Sequence, residues 1–275
     1  MSEHTEIKKQ MIVDSEKKLL PPALSLFSLE GKTAIVTGAS SGLGREIAIG
    51  FAMAGANVML VARREEKLRE LAEELKDFPV AWCKADVSET EDVKAMVEAT
   101  VERFGRIDVL VNDAGTSHRG AIKDYPDELY DQIIKANMRS CWLCQKYVGI
   151  QMLKQGDGGS IINIGSGAGH DGKKESVHYC ASKGGMLMLS RGAAIEWANE
   201  GIRVNIVMPG QFKTPLLHKC ISIDPDYVEK VLPRIPIHRF GEPQEIVGIC
   251  IYLASDSSSF MTGGVIYLDG GGNAQ

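Results

Sequence analysis

Thr33-Ala-Ile-Val-Thr37-Gly38-Ala39-Ser40-Ser41-Gly42-Leu43-Gly44 is a short continuous apolar run that breaks into a glycine-rich turn and then into a helical pattern. An uninterrupted apolar run of this length suits a strand covered on both faces. Outward from it, the pattern predicts a helix from Leu43 to Ala54 and a strand from Asn57 to Val61. A second helix follows from Arg64 to Lys76, with Leu68, Leu71, Ala72 and Leu75 on one stripe. Val80 to Cys83 is a weak third strand. Ser88 with Glu91 is expected to form a capping box for a helix whose apolar face is Val93, Met96, Val97, Val101 and Phe104. Ile107–Val111, Ile161–Ile164, Val204–Val207 and Val265–Leu268 bring the strands to seven. Strands alternating with helices of this length mean right-handed βαβ units and a parallel sheet.

The fold class is therefore α/β: a single Rossmann-like, doubly wound domain, its seven-stranded parallel sheet flanked by helices. Length agrees, since 275 residues suit one large α/β domain. Hydrophobic residues at 44% and charged residues at 24% exclude a disordered chain. No apolar run approaches the length of a spanning helix, so no membrane partner is expected. With 31 basic against 36 acidic residues the net charge is −5, and no basic stripe offers itself to nucleic acid. A small-molecule partner is expected instead.

Residues 1–28 form a polar extension with a Pro21-Pro22 break and no signal-peptide core, and residues 29–275 form the domain. The six cysteines (Cys83, Cys141, Cys144, Cys180, Cys220, Cys250) are expected as free thiols in a reducing cytoplasm. Cys141 and Cys144 have redox-motif spacing but fall mid-helix, away from a strand–helix junction. No metal site is expected.

The glycine loop carries the first chemistry. Glycines after the first strand of a βαβ unit let the backbone approach a pyrophosphate, whose charge the helix N-terminus holds. The spacing here is Gly-x-x-x-Gly-x-Gly, and many strand–helix turns carry glycine for steric reasons alone. The second strand ends at Val61-Ala62-Arg63-Arg64, where an NAD site would place a carboxylate for the ribose. Arg63 and Arg64 suit a 2′-phosphate instead, which favours NADP and leaves NAD as the alternative; solvated cations opening a helix are the simpler reading.

Tyr179-Cys-Ala-Ser-Lys183 puts a phenol and an ammonium one helical turn apart on one face. A nearby cation favours phenolate and is expected to lower the tyrosine pKa, as acid–base work requires. Thirteen residues before Tyr179, at the end of the strand ending at Ile164, stands Ser166.

With these motifs in this order, residues 28–272 resemble the classical short-chain dehydrogenase/reductase family. The resemblance rests on Thr37–Gly44, Asn112-Asp-Ala-Gly115, Ser166, the Tyr179–Lys183 pair and Arg203-Val-Asn-Ile-Val-Met-Pro-Gly210. It implies that Tyr179 is the general acid or base as hydride moves to or from nicotinamide. Lys183 would tune it and bind the ribose, and Ser166 would hydrogen-bond the substrate oxygen. Asn137 would hold a proton-relay water beside the lysine. For the cofactor, the resemblance implies contacts from Gly38, Ser40, Ser41, Gly42, Leu43, Gly44, Arg63, Arg64, Asp86, Val87, Asn112, Ala114 and Gly115. Tyr179, Lys183, Pro209, Gly210, Phe212 and Thr214 complete that set, with Asp86 at the adenine and Asn112 and Gly115 along the adenosine side.

Two positions depart from the family pattern. Asp113 replaces an asparagine, giving an acceptor where the amide could also donate, and is expected to weaken the sheet or be held by backbone N–H groups. Gly165 stands where serine is frequent and is expected to open space beside the substrate. Residues 211–240 fall where the family carries a substrate lid. His118, Arg119, Lys173, Lys174 and His178 at the mouth would steer a carboxylate or phosphate substrate, or form a solvated basic edge. Phe27–Gly31 and Glu175–Gly185 look similar to sugar-acid members such as gluconate 5-dehydrogenases; a 3-oxoacyl thioester reductase and a broad ketone reductase are the rivals. A catalytically silent dinucleotide sensor and an assembly component are readings of other classes. The resemblance also implies a homotetramer, and the helix Gln244–Ala254 is apolar on more than one face.

Overall fold

The computed structural model describes residues 23–274; the Pro21-Pro22 break and most of the extension lie outside them. Seven parallel strands, β1 (Thr33–Thr37), β2 (Asn57–Ala62), β3 (Val80–Lys84), β4 (Val109–Asn112), β5 (Gly159–Ile164), β6 (Ile202–Pro209) and β7 (Val265–Leu268), are ordered β3-β2-β1-β4-β5-β6-β7. The helices between them are α1 (Gly42–Met53), α2 (Glu65–Glu74), α3 (Thr90–Phe104), α4 (Asp127–Ile134), α5 (Ser140–Gln155), α6 (Val177–Trp197), α7 (Pro215–Ile223), α8 (Tyr227–Val231) and α9 (Val247–Ala254). β1 pairs with both β2 and β4, so the strand order reverses there and opens a crevice beyond the strand ends.

The alternation of a pleated strand sorts the core. On β1, Ala34 and Val36 pack with Ile47, Phe51, Cys250 and Leu253 on the α1/α9 side. Ile35, between them, packs with Met96, Leu110, Val148 and Ile161 on the α3/α5 side. Both faces are covered, as the continuous apolar strands require. Leu29 is already fully buried against the first of these layers, and the Ala23–Phe27 turn before it sets Phe27 6.4 Å from the Tyr252 ring.

Two local expectations are corrected. Ser88 caps no helix: its hydroxyl and amide both go to Asp86 Oδ1, at 2.7 and 3.0 Å, and α3 starts later, at Thr90. A carboxylate two residues upstream outcompetes the helix end for the serine. The fourth strand starts at Val109 rather than Ile107, because the Gln155 side chain takes both the N–H and the C=O of Ile107, at 2.9 and 2.8 Å.

Candidate active site

The sequence-assigned residues gather at the carboxyl ends of the strands, where β1 and β4 part. Thr37, the last residue of β1, donates its hydroxyl to Val111 O (3.2 Å) and accepts from the N–H of Asp113 and Ala114 (3.1 and 3.2 Å). This ties the glycine loop to the segment after β4. Gly38 has φ +73° and Gly42 φ +63°, which L side chains rarely adopt. At Gly44 a Cβ would lie 2.6 Å from Asp113 Oδ2 and 2.8 Å from Gly38 O. The loop is thus a bare-backbone cradle closing onto the N-terminus of a 12-residue helix, whose capping residue Ser41 makes no side-chain cap bond. Those donors fit a pyrophosphate.

Arg64 grips the loop from the second strand: its guanidinium donates to Ser40 Oγ (2.7 Å) and Ser41 Oγ (2.7 Å). Arg63 is 75% exposed, with Asp86 4.0 Å away. Both border a cavity of about 480 Å³ that Arg69, Lys84, Glu65 and Glu66 also line. Burial pushes the Asp86 carboxyl up, but the two Ser88 hydrogen bonds, with Arg63 and Lys135, bring it below its ordinary range. Val87 is buried beside it, and Gly115 is exposed.

Ser166 ends the β5 segment and accepts from Ala168 N at 3.2 Å. The first turns of α6 bring Tyr179 to it. Burial drives the phenol up, a hydrogen bond from Ser166 pulls it down, and Asp113, Cys180 and Cys220 raise it again, leaving it pushed up to about 12. Lys183 is buried and donates to Ile164 O at 2.8 Å. Burial lowers its pKa against the pull of Asp113 and Cys141. The expected lowering of the tyrosine by the lysine is therefore not met here, because the ammonium is turned onto a strand carbonyl.

The remaining positions singled out in the sequence are placed by their contacts. Asn137 lies in a single π turn, Lys135–Arg139, and is fully buried. Its amide accepts from Thr116 N (2.8 Å) and donates to Thr116 O (2.9 Å) and Ser182 Oγ (3.0 Å), so the side chain clamps the loop after β4. The Asn112 side chain is buried and donates to Asn163 Oδ1 at 2.8 Å. Asn163 in turn donates to Gln145 and Ser190, so one polar network joins β4, β5, α5 and α6. Gly165 opens no space, since a Cβ there would meet Met208 Sδ at 2.4 Å. Phe212 is buried with its ring against Gly241, while Thr214, opening α7, reaches the position a Gly42 Cβ would face. Gly210 abuts Asp269 too closely for a side chain.

At the mouth, His178 is buried: its Nε2 lies 3.0 Å from His118 O and its ring stacks on Tyr125 at 3.7 Å. Arg119 is shared between Glu175 (3.2 Å) and Asp224 (3.7 Å). Of the expected cationic set Arg119, Lys173 and Lys174 are exposed. Cys141 and Cys144 are buried in α5, and burial pushes the Cys141 thiol up to about 12, which removes a redox role. Sequence reasoning missed Thr37, Ser182, Arg69 and Lys84. The last could have been found from strand register, since Lys84 pairs with Ala62 beside the two arginines.

A model of the enoyl-(acyl carrier protein) reductase family matches residues 38–273. The chain is 38% identical to a 3-oxoacyl-[acyl-carrier-protein] reductase of Thermotoga maritima, over 88% of this chain and 98% of that protein. It is 35% identical to a 2-dehydro-3-deoxy-D-gluconate 5-dehydrogenase of Dickeya dadantii, over 90% and 98%. Among solved structures, a gluconate 5-dehydrogenase from Burkholderia cenocepacia in complex with NADP and tartrate superposes with a TM-score of 0.88 at 32% identity, covering 92% of this chain and all of that one. A short-chain type dehydrogenase/reductase from Mycobacterium marinum superposes with a TM-score of 0.87 at 36% identity, with the same coverage.

Proposed function

We propose, for a chain that belongs to the short-chain dehydrogenase/reductase family, that it moves a hydride between NADP(H) and a carbonyl or secondary alcohol, the substrate being a keto-sugar acid or polyol. The observation that carries the reading is the meeting of Ser166, Tyr179 and Lys183 beside a bare-backbone loop at a helix N-terminus. When bound, NADPH supplies the hydride. Tyr179 donates a proton to the substrate oxygen, or takes one from the alcohol, and Ser166 donates to the same oxygen as charge develops there. Lys183 would hold the ribose of the dinucleotide, and its ammonium, one helical turn from Tyr179, would favour the phenolate. Asn137 keeps the loop after β4 in place beneath them.

Arg63, with Arg69 and Lys84 around the same cavity, supports NADP over NAD, because no carboxylate stands at the end of β2. The NADP and tartrate bound to the gluconate 5-dehydrogenase neighbour support the same cofactor and an acidic polyol as substrate. The 3-oxoacyl thioester reading is kept by the Thermotoga maritima relative. We further assign residues 29–275 to the catalytic domain, 1–28 to an extension and 211–240 to a substrate lid. We also assign a homotetramer in the cytoplasm, its contacts made by apolar side chains left exposed on α5 and α6.

The test is an absorbance assay at the reduced-nicotinamide band with keto-sugar acids, acetoacetyl thioesters and simple ketones, each with NADPH and NADH. Oxidation of NADPH with keto-sugar acids alone is the expected result. Turnover confined to the thioesters moves the substrate assignment to the rival, and silence with every carbonyl overturns the enzymatic reading.

A further inference from the structure

The loop that would seat the pyrophosphate already has an anion at its back. Asp113 Oδ2 accepts the Gly44 N–H at 2.8 Å, within the first turn of α1. It also stands where a Cβ on Gly38 or Gly44 would be, 3.0 and 2.6 Å away. A carboxylate at a helix N-terminus is favoured by the dipole and occupies one of the free amides. It therefore already occupies the interaction that an incoming pyrophosphate would use. Two anions on one helix end repel each other in a poorly hydrated site. The carboxyl can relieve that repulsion by taking a proton, because an uncharged carboxyl still accepts the Gly44 N–H through its carbonyl oxygen.

We propose that Asp113 makes dinucleotide binding proton-linked: the carboxyl takes up a proton as the cofactor occupies the glycine loop, so affinity falls as pH rises. This rests on the proposed function, which makes the loop a pyrophosphate seat.

The surroundings leave the carboxyl close to titration already. Burial raises its pKa, the Lys183 ammonium and the Gly44 N–H lower it, and the balance is about 6. The groups facing it are few. Lys183 and Tyr179 approach from α6, Cys250 from α9, and the Gly44 amide from α1, while the Thr37 hydroxyl on β1 engages only its backbone N–H. Lys183 is the one cation among them, and it is also the group expected to turn towards the ribose. A pyrophosphate added to this set brings only negative charge, so it moves the Asp113 pKa upward from about 6. Below that pH the proton is present in both states and affinity is flat; above it, binding must bring the proton along.

Calorimetry of NADH binding in two buffers of different ionisation enthalpy counts the protons directly, and NADH is chosen because it has no 2′-phosphate to titrate. At pH 7 the wild type is expected to take up most of one proton, and its Kd to weaken about tenfold between pH 6 and pH 8. Asp113→Asn keeps the acceptor and removes the titration, so it is expected to take up almost none and to change Kd less than about twofold over the same range. Asp113→Ser provides the same count should the asparagine variant not fold. A wild type that binds NADH with no proton uptake and a flat Kd overturns the proposal, as do variants that keep the uptake. Failure of the wild type to bind either NADH or NADPH overturns the functional reading, and the proton linkage with it.

Discussion

The proposed reaction requires Tyr179 to change protonation state, and in the free site its phenol is pushed up to about 12. In the proposed reaction it passes a proton to a substrate oxygen held by Ser166. Tyr179→Phe is expected to lower kcat more than 100-fold while NADPH affinity, measured by fluorescence titration, changes less than about threefold. Lys183→Met is expected to damage both, because the amine serves ribose and phenol together; an unaltered pH profile of kcat/KM would contradict that role. The two arginines divide their work. Arg63 is exposed, with only a long ion pair to Asp86, and so is available to a 2′-phosphate; Arg63→Ala is expected to raise KM for NADPH at least about tenfold and leave NADH nearly unchanged. Arg64 holds Ser40 and Ser41, so Arg64→Ala is expected to raise KM for both dinucleotides alike. Equal effects of Arg63→Ala on both cofactors would remove it from the phosphate. Asp113 also carries a stability consequence. Its pKa is about 6 in the fold against an ordinary 3.8, so the folded chain holds that proton more tightly. Stability from this group is full below about 3.8 and is lost as pH rises through 6, by up to about 3 kcal/mol. Asp113→Asn is accordingly expected to raise Tm by several degrees at pH 8 and by little at pH 4, in parallel thermal melts.

At the scale of elements, patterning found every strand, and the differences arose where a side chain stands in for backbone. Gln155 satisfies Ile107 and so shortens β4, a substitution that no alternation of apolar residues reveals. Asp86 captures Ser88 because both lie in one tight turn, although the same serine has capping-box spacing. The polar network from Asn112 through Asn163 to Ser190 is likewise silent in sequence, since buried amides look like loop residues until strand register aligns them. Helix packing carries the clearest steric constraint. A Cβ on Gly50 of α1 would lie 2.2 Å from Val247 Cγ1 of α9, so these helices touch backbone to side chain. Gly50→Ala is expected to cost on the order of 1–3 kcal/mol by overpacking, despite the better helix propensity of alanine. Val247→Ala made in the same chain is expected to recover most of that loss; a double-mutant cycle by urea unfolding measures the coupling, and additivity would show that the two helices do not meet as described.

For the whole molecule, topology explains why scattered residues converge. Thr37, Ala62, Asn112, Ile164 and Pro209 all end strands that run the same way, so the loops following them share one edge. That convergence was legible from strand–helix alternation alone, whereas the occupancy of each side chain was not, as Asn137 and Phe212 show. What the alternation also cannot reveal is which outer helix faces remain uncovered. On α5, Trp142, Ile150 and Leu153 are 49, 50 and 39% exposed and fall within one arc of about 80° at 100° per residue. On α6, Val177, Met188 and Ile195 are 46, 61 and 82% exposed and lie within about 20° of one another. Both helices pack on the same side of the sheet, sharing the layer built from Val148, Met152 and Ala194. Two parallel apolar stripes on neighbouring helices exceed what scattered surface residues need, and they suit an isologous contact with a second copy. Ile195→Glu puts a charge in the most exposed position of the α6 stripe without touching the core or the Tyr179–Lys183 face. It is expected to lower the mass seen by light scattering from a tetramer to a dimer or monomer, with NADPH affinity retained. A variant that still elutes at the wild-type mass would move the subunit contact to another surface, and a wild type that is itself monomeric would remove the tetramer.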